Sequence, residues 1–228
     1  MNNVFTFWEG KIPGYIKLCL DTWKVPFTVL NYENLHNYTD LPIEPLQRFT
    51  LPQIADCVRV HVLRDQGGYW LDADTIMLSG KLPKVTILGD QETRINTIGM
   101  LCADYYPEMF KEWATYQDAV VRDPNCSHHW SVMGNAFTDP YLKEHTEVDI
   151  GDIWNCWPET YMVLGTIDRW DKYSKFYFEE SHKLSDLRQT DLLMLHNSWT
   201  PAWYKKLSAY AVLEYNFTLS NILKEVLI

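Results

Sequence analysis

An α/β fold with a mostly parallel central sheet flanked by helices is what this sequence predicts, and three observations predict it. Short apolar runs bounded by Gly, Pro or Asn alternate with longer stretches of helical periodicity. The 228 residues, 46% of them apolar, suffice to enclose a core without a metal or a disulfide. No internal repeat, low-complexity tract or evident linker interrupts the pattern, so residues 1–228 read as one domain.

The first predicted strand is VFTFW, Val4 to Trp8, closed by a nearby Gly. IPGYIKLCLDTWK follows as a helix and PFTVLNY as a second strand. LPQIADCVRVHVLRDQ is a helix: Pro52 belongs in a first turn, where its missing N–H costs nothing, and Gly67-Gly68 stop it. YWLDADTIML is a strand broken or redirected at its acids. Further on, INTIGMLCA reads as a strand, PEMFKEWATYQDAVVR as a helix, DLLMLH as a short buried strand and FTLSNILKEVLI as a final helix. Ligands of such sheets gather at the carboxyl ends of strands, where Trp8, Asp72, Asp74 and His196 all fall.

Composition narrows the function. A formal net charge of −10 argues against a nucleic-acid surface, which carries a basic footprint. It also means that an anionic ligand needs local Lys or Arg, helix N-termini or a bridging cation. Cys19, Cys57, Cys102, Cys126 and Cys156 form no C-x-x-C pair and read as reduced thiols of a cytoplasmic, soluble protein. MNNVFTFWEGKIP lacks the basic and apolar regions of a signal peptide, and no run of 18 apolar residues offers a membrane span. On that reading the sequons at Asn37, Asn125 and Asn216 carry no meaning. No P-loop, dinucleotide fingerprint or nucleophile elbow is present. His128 and His129 are adjacent, so their rings diverge, and they read as surface residues. The ten Trp either pack a core or stack on sugars, and Trp130, Trp154, Trp157 and Trp170 are open to both readings.

Asp72 and Asp74 carry the sharpest signal. Alternate residues of an ideal strand share a face, so two carboxylates at this spacing can converge. Acids that close repel and raise one pKa unless a cation lies between them. A bare D-x-D is also found in turns and caps; its place here, after a Gly-Gly stop and an apolar strand, favours a ligand. Asp56 and Arg59 share one helical face with Val60 and Leu63 beside them. Charges so flanked form either a buried ion pair or a pocket wall, and a pocket wall of Asp and Arg can bind sugar hydroxyls.

Together these residues resemble a family. Ala55-Asp56, Arg59, Gly67-Gly68 and Leu71-Asp72-Ala73-Asp74 are similar to the D-x-D sugar-binding region of glycosyltransferases of family 32. Relatives of that family include the clostridial glucosylating toxins and yeast and bacterial enzymes that extend mannans and capsules. Sixteen residues separate Asp56 from Asp72, close to the family's spacing; Tyr69-Trp70 departs from its commoner Ile-Tyr. VFTFWEGKIP resembles the family's first strand and LLMLHNSWTPAW its closing segment. Between Gly80 and Leu195 the likeness is faint, touching Asn96 and the helix at Pro107.

The resemblance implies a GT-A type, Rossmann-like nucleotide-sugar fold and a hexosyltransferase. Its donor would be a UDP-sugar, UDP-glucose or a related hexose, and its acceptor a carbohydrate. Trp8 would stack on the base, Asp56 and Arg59 would orient the sugar, and Ser198 and Trp199 would meet the phosphates. Asp74, Asp72 and His196 would hold Mn2+, with Mg2+ the alternative, and Asp72 is also a candidate for ribose and sugar hydroxyls. Asp72, Asp74 and Arg59 would be the catalytic set. The family is retaining, which needs no base on the far face of the sugar. An inverting enzyme would need a carboxylate there, and the sequence leaves both open. The competing readings are a cation-dependent glycan- or nucleotide-binding module without turnover and a nucleotide-sugar hydrolase.

Overall fold

The computed structural model describes residues 3–90, 92, 96–153, 169–187 and 189–227. Its strands are β1 (Val4–Phe7), β2 (Phe27–Leu30), β3 (Tyr69–Leu71), β4 (Thr75–Met77), β5 (Ile87–Gly89), β6 (Asn96–Cys102), β7 (Ile150–Asp152) and β8 (Leu192–Met194). Its helices are α1 (Gly14–Asp21), α2 (Leu51–Gln66), α3 (Pro107–Arg122), α4 (Asn135–Glu144), α5 (Arg169–Phe178), α6 (Ala202–Lys205), α7 (Ala209–Glu214) and α8 (Thr218–Leu227). The chain forms two compact units. The first contains Met1–Gly10, Pro26–Asp72 and Pro83–Ile153; the second contains Lys11–Val25, Ala73–Leu82 and Trp154–Ile228.

The first unit holds a six-stranded sheet in the order β2-β1-β3-β6-β5-β7. β1 pairs in parallel with β2 and β3, and β5 with β7, while β6 runs antiparallel to both β3 and β5. Five strands thus share one direction, and the expected mostly parallel α/β sheet is present. Chain order reverses across β1, with β2 on one side and β3 on the other. Open α/β sheets bind ligands at the strands' carboxyl ends beside such a switch point. Trp8 follows the carboxyl end of β1 and Asp72 that of β3.

Local chemistry explains why the long helices lie where the sequence puts them. Thr50 caps α2 through Gln53, whose Oε1 accepts from the Thr50 N–H (3.0 Å) and hydroxyl (2.9 Å). Gly67 ends α2 at φ +66, and its N–H donates to the Leu63 carbonyl (3.0 Å). Gly68, at φ +78, has no room for a side chain: a Cβ would lie 2.4 Å from the Asn3 carbonyl oxygen. That close pass lets the Tyr69 N–H donate to Asn3 O (2.8 Å) and start β3. Between α2, α3 and the sheet lies a core that includes Phe5, Val58, Trp70, Phe110 and Trp113. The Trp113 indole N–H is satisfied by the Met133 carbonyl (3.0 Å).

The second unit pairs β4 with β8 antiparallel. Around them Tyr15, Tyr173, Tyr177 and Tyr204 are fully enclosed. Tyr204 lies 4.9 Å from Phe178, ring to ring, and its hydroxyl is 3.1 Å from Ser220 Oγ. Much of the chain's aromatic content is therefore core. Trp23, Trp70 and Trp113 are buried, whereas Trp130 is 72% exposed. Trp154, Trp157 and Cys156 lie outside the described residues, and of Trp170 only the backbone is described. The described cysteines are free thiols, with Cys19, Cys57 and Cys102 buried and Cys126 half-buried. His128 and His129 are exposed, as a surface pair should be.

Helix α2 also buries a histidine. His61 is 2% exposed, and neither ring nitrogen makes a hydrogen bond, although Nε2 lies 3.6 Å from Asp118 Oδ1 on α3. Burial, then the Arg64 charge, pushes its pKa down to about 4, against the pull of Asp118, Asp65 and Asp40. The folded protein therefore refuses a proton that the unfolded chain accepts once the pH falls below 6.5. Stability is lost as the pH drops through that window, by about 3 kcal/mol at pH 4. In urea titrations at pH 7 and pH 4, His61→Leu is expected to lose about that much less than the wild type. Equal losses would mean that Asp118 keeps the imidazole charged in the fold.

Candidate active site

β3 ends at Leu71 and β4 begins at Thr75, so neither acid of the D-x-D lies within a strand. The ladder breaks at the acids, as the sequence suggested, and the chain passes there from the first unit to the second. Asp72 belongs to the first and Asp74 to the second.

In the first unit a single guanidinium gathers the acids. Arg59 Nη2 lies 3.0 Å from Asp56 Oδ1, three residues back on α2, and 3.0 Å from Asp72 Oδ1. Arg59 Nη1 donates to the Ile98 carbonyl on β6. The guanidinium also sits 5.2 Å from the centre of the Trp70 ring, whose indole N–H donates to Asp72 Oδ1 (2.8 Å). Asp72 is further fixed by its own N–H, which donates to the Gly99 carbonyl (2.8 Å). Helix α2, strand β3 and strand β6 thus meet at one arginine. Of the two readings open for Asp56 and Arg59, the ion pair is present, and it reaches the D-x-D.

Burial sets the electrostatics. Arg59 is 5% exposed, and its Nε–H is enclosed with no hydrogen-bond partner. The Asp56 side chain is 13% exposed, against 35% for Asp72. Desolvation pushes the Asp56 carboxyl up to about 7; Arg59 opposes the shift and the Asp72 charge adds to it. Gly134 explains how Asp56 is shut in: a Cβ there would lie 2.6 Å from Ile98 Cδ1 and 3.3 Å from Asp56 Oδ2. The next residues open α4, anchored to Asn96 by the Thr138 hydroxyl (2.9 Å) and the Asn135 amide (3.1 Å). Asn96 in turn donates to Asp139 Oδ1 (2.9 Å). Trp8 is half-buried, and its N–H donates to the Leu30 carbonyl (2.9 Å).

In the second unit the pairing of Thr75 with Met194 brings Asp74 beside the turn after β8. The Asp74 carbonyl accepts from Leu195 N–H (3.1 Å), and its Oδ2 from Asn197 N–H (2.6 Å). The Asn197 side-chain oxygen accepts from the Tyr15 hydroxyl. Burial, then the Asp74 charge, pushes the Tyr15 pKa far above its ordinary value, so the phenol stays a donor. His196 donates its N–H to the Tyr173 hydroxyl (3.1 Å), and its ring lies 4.1 Å from that of Trp199. Ser198 is exposed. Asp74, His196 and Trp199 therefore belong to one local cluster.

Trp70, Ile98, Gly134, Asn197 and Tyr15 complete these arrangements without having been singled out in the sequence. Only Trp70 left a signal, as an aromatic two residues before the first acid. Among the described residues no three His, Cys, Asp or Glu side chains gather closely enough to hold a metal on protein ligands alone. A divalent ion bound with a diphosphate does not need that, since one or two carboxylates, phosphate oxygens and water complete its shell. The carboxylates of Asp72 and Asp74 are oxygen donors of the kind that Mn2+ and Mg2+ take, whereas the His196 imidazole is not a ligand that Mg2+ favours.

Fold and site are those of an α/β protein with acids and an arginine at the carboxyl end of a central strand. The chain belongs to the family of capsular polysaccharide synthesis proteins, whose model matches residues 1–150. Membership implies a glycosyltransferase-like role in polysaccharide synthesis, with a sugar donor and a carbohydrate acceptor. No curated protein matches the chain.

Proposed function

We propose that this protein is a metal-dependent glycosyltransferase that moves a hexose from a UDP-sugar, UDP-glucose or a close relative, to a hydroxyl of a glycan acceptor, with retention. The observation that carries the reading is the Arg59 bridge between Asp56 and Asp72. It holds two hydroxyl-accepting carboxylates and a donor fork rigidly beside the switch point of the sheet.

The roles follow from the chemistry. Asp56, Arg59 and Asp72 bind and orient sugar and ribose hydroxyls, fixing the anomeric carbon for attack. Trp8 offers its ring to the base. Asp74 is the carboxylate given to Mn2+, or Mg2+, with Asp72 and His196 as further ligands and with Ser198 and Trp199 beside the phosphates. Bound there, the ion would neutralise the leaving diphosphate as a Lewis acid. Asn197 N–H holds the Asp74 carboxylate and Tyr15 holds the Asn197 side chain, and a bridging cation is one way for an acidic chain to take an anionic donor.

Thermal denaturation with a panel of nucleotide-sugars, with Mn2+ or with chelator, tests the donor site. A rise in Tm of several degrees is expected for UDP-sugars and only with the ion. Turnover with the best donor should then release UDP and lengthen a glycan. No shift with any nucleotide would sink the reading, and UDP release with free sugar as the sole product would make the protein a hydrolase.

A further inference from the structure

The second unit carries a surface that the donor-site reading does not use. Among the described residues eight large apolar or aromatic side chains are exposed, and Trp203, Tyr210 and Tyr215 fall within one short stretch. Trp203 on α6 lies 5.8 Å from Tyr215 and 5.9 Å from Phe217, ring to ring. Tyr215 and Phe217 stack at 5.1 Å. The trio makes one aromatic face, with Trp203 44% and Tyr215 38% exposed.

The charge of this stretch is opposite to that of the chain. Leu192 to Leu213 is the longest acid-free run in a sequence of net charge −10, and it carries Lys205 and Lys206. Lys206 is exposed just after α6. Lys224 brings an ammonium to the aromatic face, donating to the Tyr215 carbonyl (2.7 Å). Glu214 and Glu225 are the acids of the segment from 199 onward, which leaves it net positive. Trp and Tyr rings rimmed by Lys are the pattern of a membrane interface: the rings settle at headgroup level and the ammonium groups meet lipid phosphates. Among the described residues no helix is long and apolar enough to cross a bilayer, so such contact is from one side.

We propose that the face of Trp203, Tyr215 and Phe217, with Lys206 and Lys224, docks this protein on an anionic lipid surface. Each Lys near such a surface contributes about 1 kcal/mol, a factor of about five in partition, and the contribution falls with salt. The proposal stands independently of the donor site.

Co-sedimentation of the full chain with phosphatidylglycerol–phosphatidylcholine vesicles tests it, with pure phosphatidylcholine vesicles as control. Partition into the anionic vesicles alone is expected, weakened by high salt. Lys206→Glu is expected to cut it about tenfold or more, and Trp203→Ser to cut it further. Both variants should keep the wild-type circular dichroism and the Tm shift with nucleotide-sugar. Absence of partition, equal partition into neutral vesicles, or wild-type partition by Lys206→Glu would each overturn the proposal. A self-association abolished by Trp203→Ser without any vesicle binding would assign the face to a second copy instead.

Discussion

Arg59→Ala is expected to destabilise the fold by about 3–5 kcal/mol and to abolish sugar transfer. Arg59 is 5% exposed and is the shared partner of Asp56 and Asp72. Removing it strands the Asp56 carboxylate, whose side chain is 13% exposed, without its counter-charge. Asp56 would answer by keeping its proton further above its present pKa of about 7. That response limits the damage at low pH, so the loss should be greater at pH 8 than at pH 6, as urea midpoints would read. Arg59→Ala combined with Asp56→Asn should regain part of the lost stability, because no buried charge is then left unpaired. On the proposed function it should regain no transfer, because the fork proposed to position the sugar is still missing. A variant as stable as the wild type at pH 8 would show that the bridge holds nothing together.

Asp74→Asn is expected to lower metal-dependent transfer by about a hundredfold or more while leaving Tm within a few degrees of the wild type. The asymmetry comes from what the carboxylate does in the fold. There it accepts the Asn197 N–H, and an amide oxygen can accept that hydrogen bond too, more weakly than a carboxylate. On the proposed function its charge would serve a diphosphate-bound cation, and Lewis-acid stabilisation of a leaving group is worth several kcal/mol, with each 1.4 kcal/mol a tenfold change in rate. Steady-state rates across a Mn2+ titration distinguish lost affinity from lost turnover. Full activity of Asp74→Asn at ordinary Mn2+ would remove Asp74 from the metal site.

Sequence reading succeeded where local chemistry decides structure. Helices α2 and α3 lie where Pro52, the Gly67 stop and the Pro107 start put them, because caps and breakers act within a turn. Strands β5 and β7, three residues each, carry no alternation to detect, and α4 hides behind its internal Pro140. At the site, Asp56 and Arg59 were legible as one helical face and the D-x-D as a strand end. Their junction was not, because it runs through Trp70 and the Ile98 carbonyl on other strands, and only tertiary pairing makes these neighbours. Asn197 escaped for a related reason: it binds Asp74 with its backbone N–H, a group every non-proline residue carries.

The interleaving of the two units also bears on how this chain is made. It crosses between them five times, and residues 1–150 include two segments of the second unit, Lys11–Val25 and Ala73–Leu82. Helix α1, which buries Tyr15, Ile16, Leu18, Cys19 and Leu20, packs against α6, α7 and α8. Strand β4 has its ladder partner in β8. On the ribosome α1 therefore waits for α6, α7 and α8 to be synthesised before it is covered, an interval of roughly 10–40 s at ordinary elongation rates. For that time an apolar helix stands open to chaperones and to other nascent chains, and the first 150 residues cannot close over it by themselves.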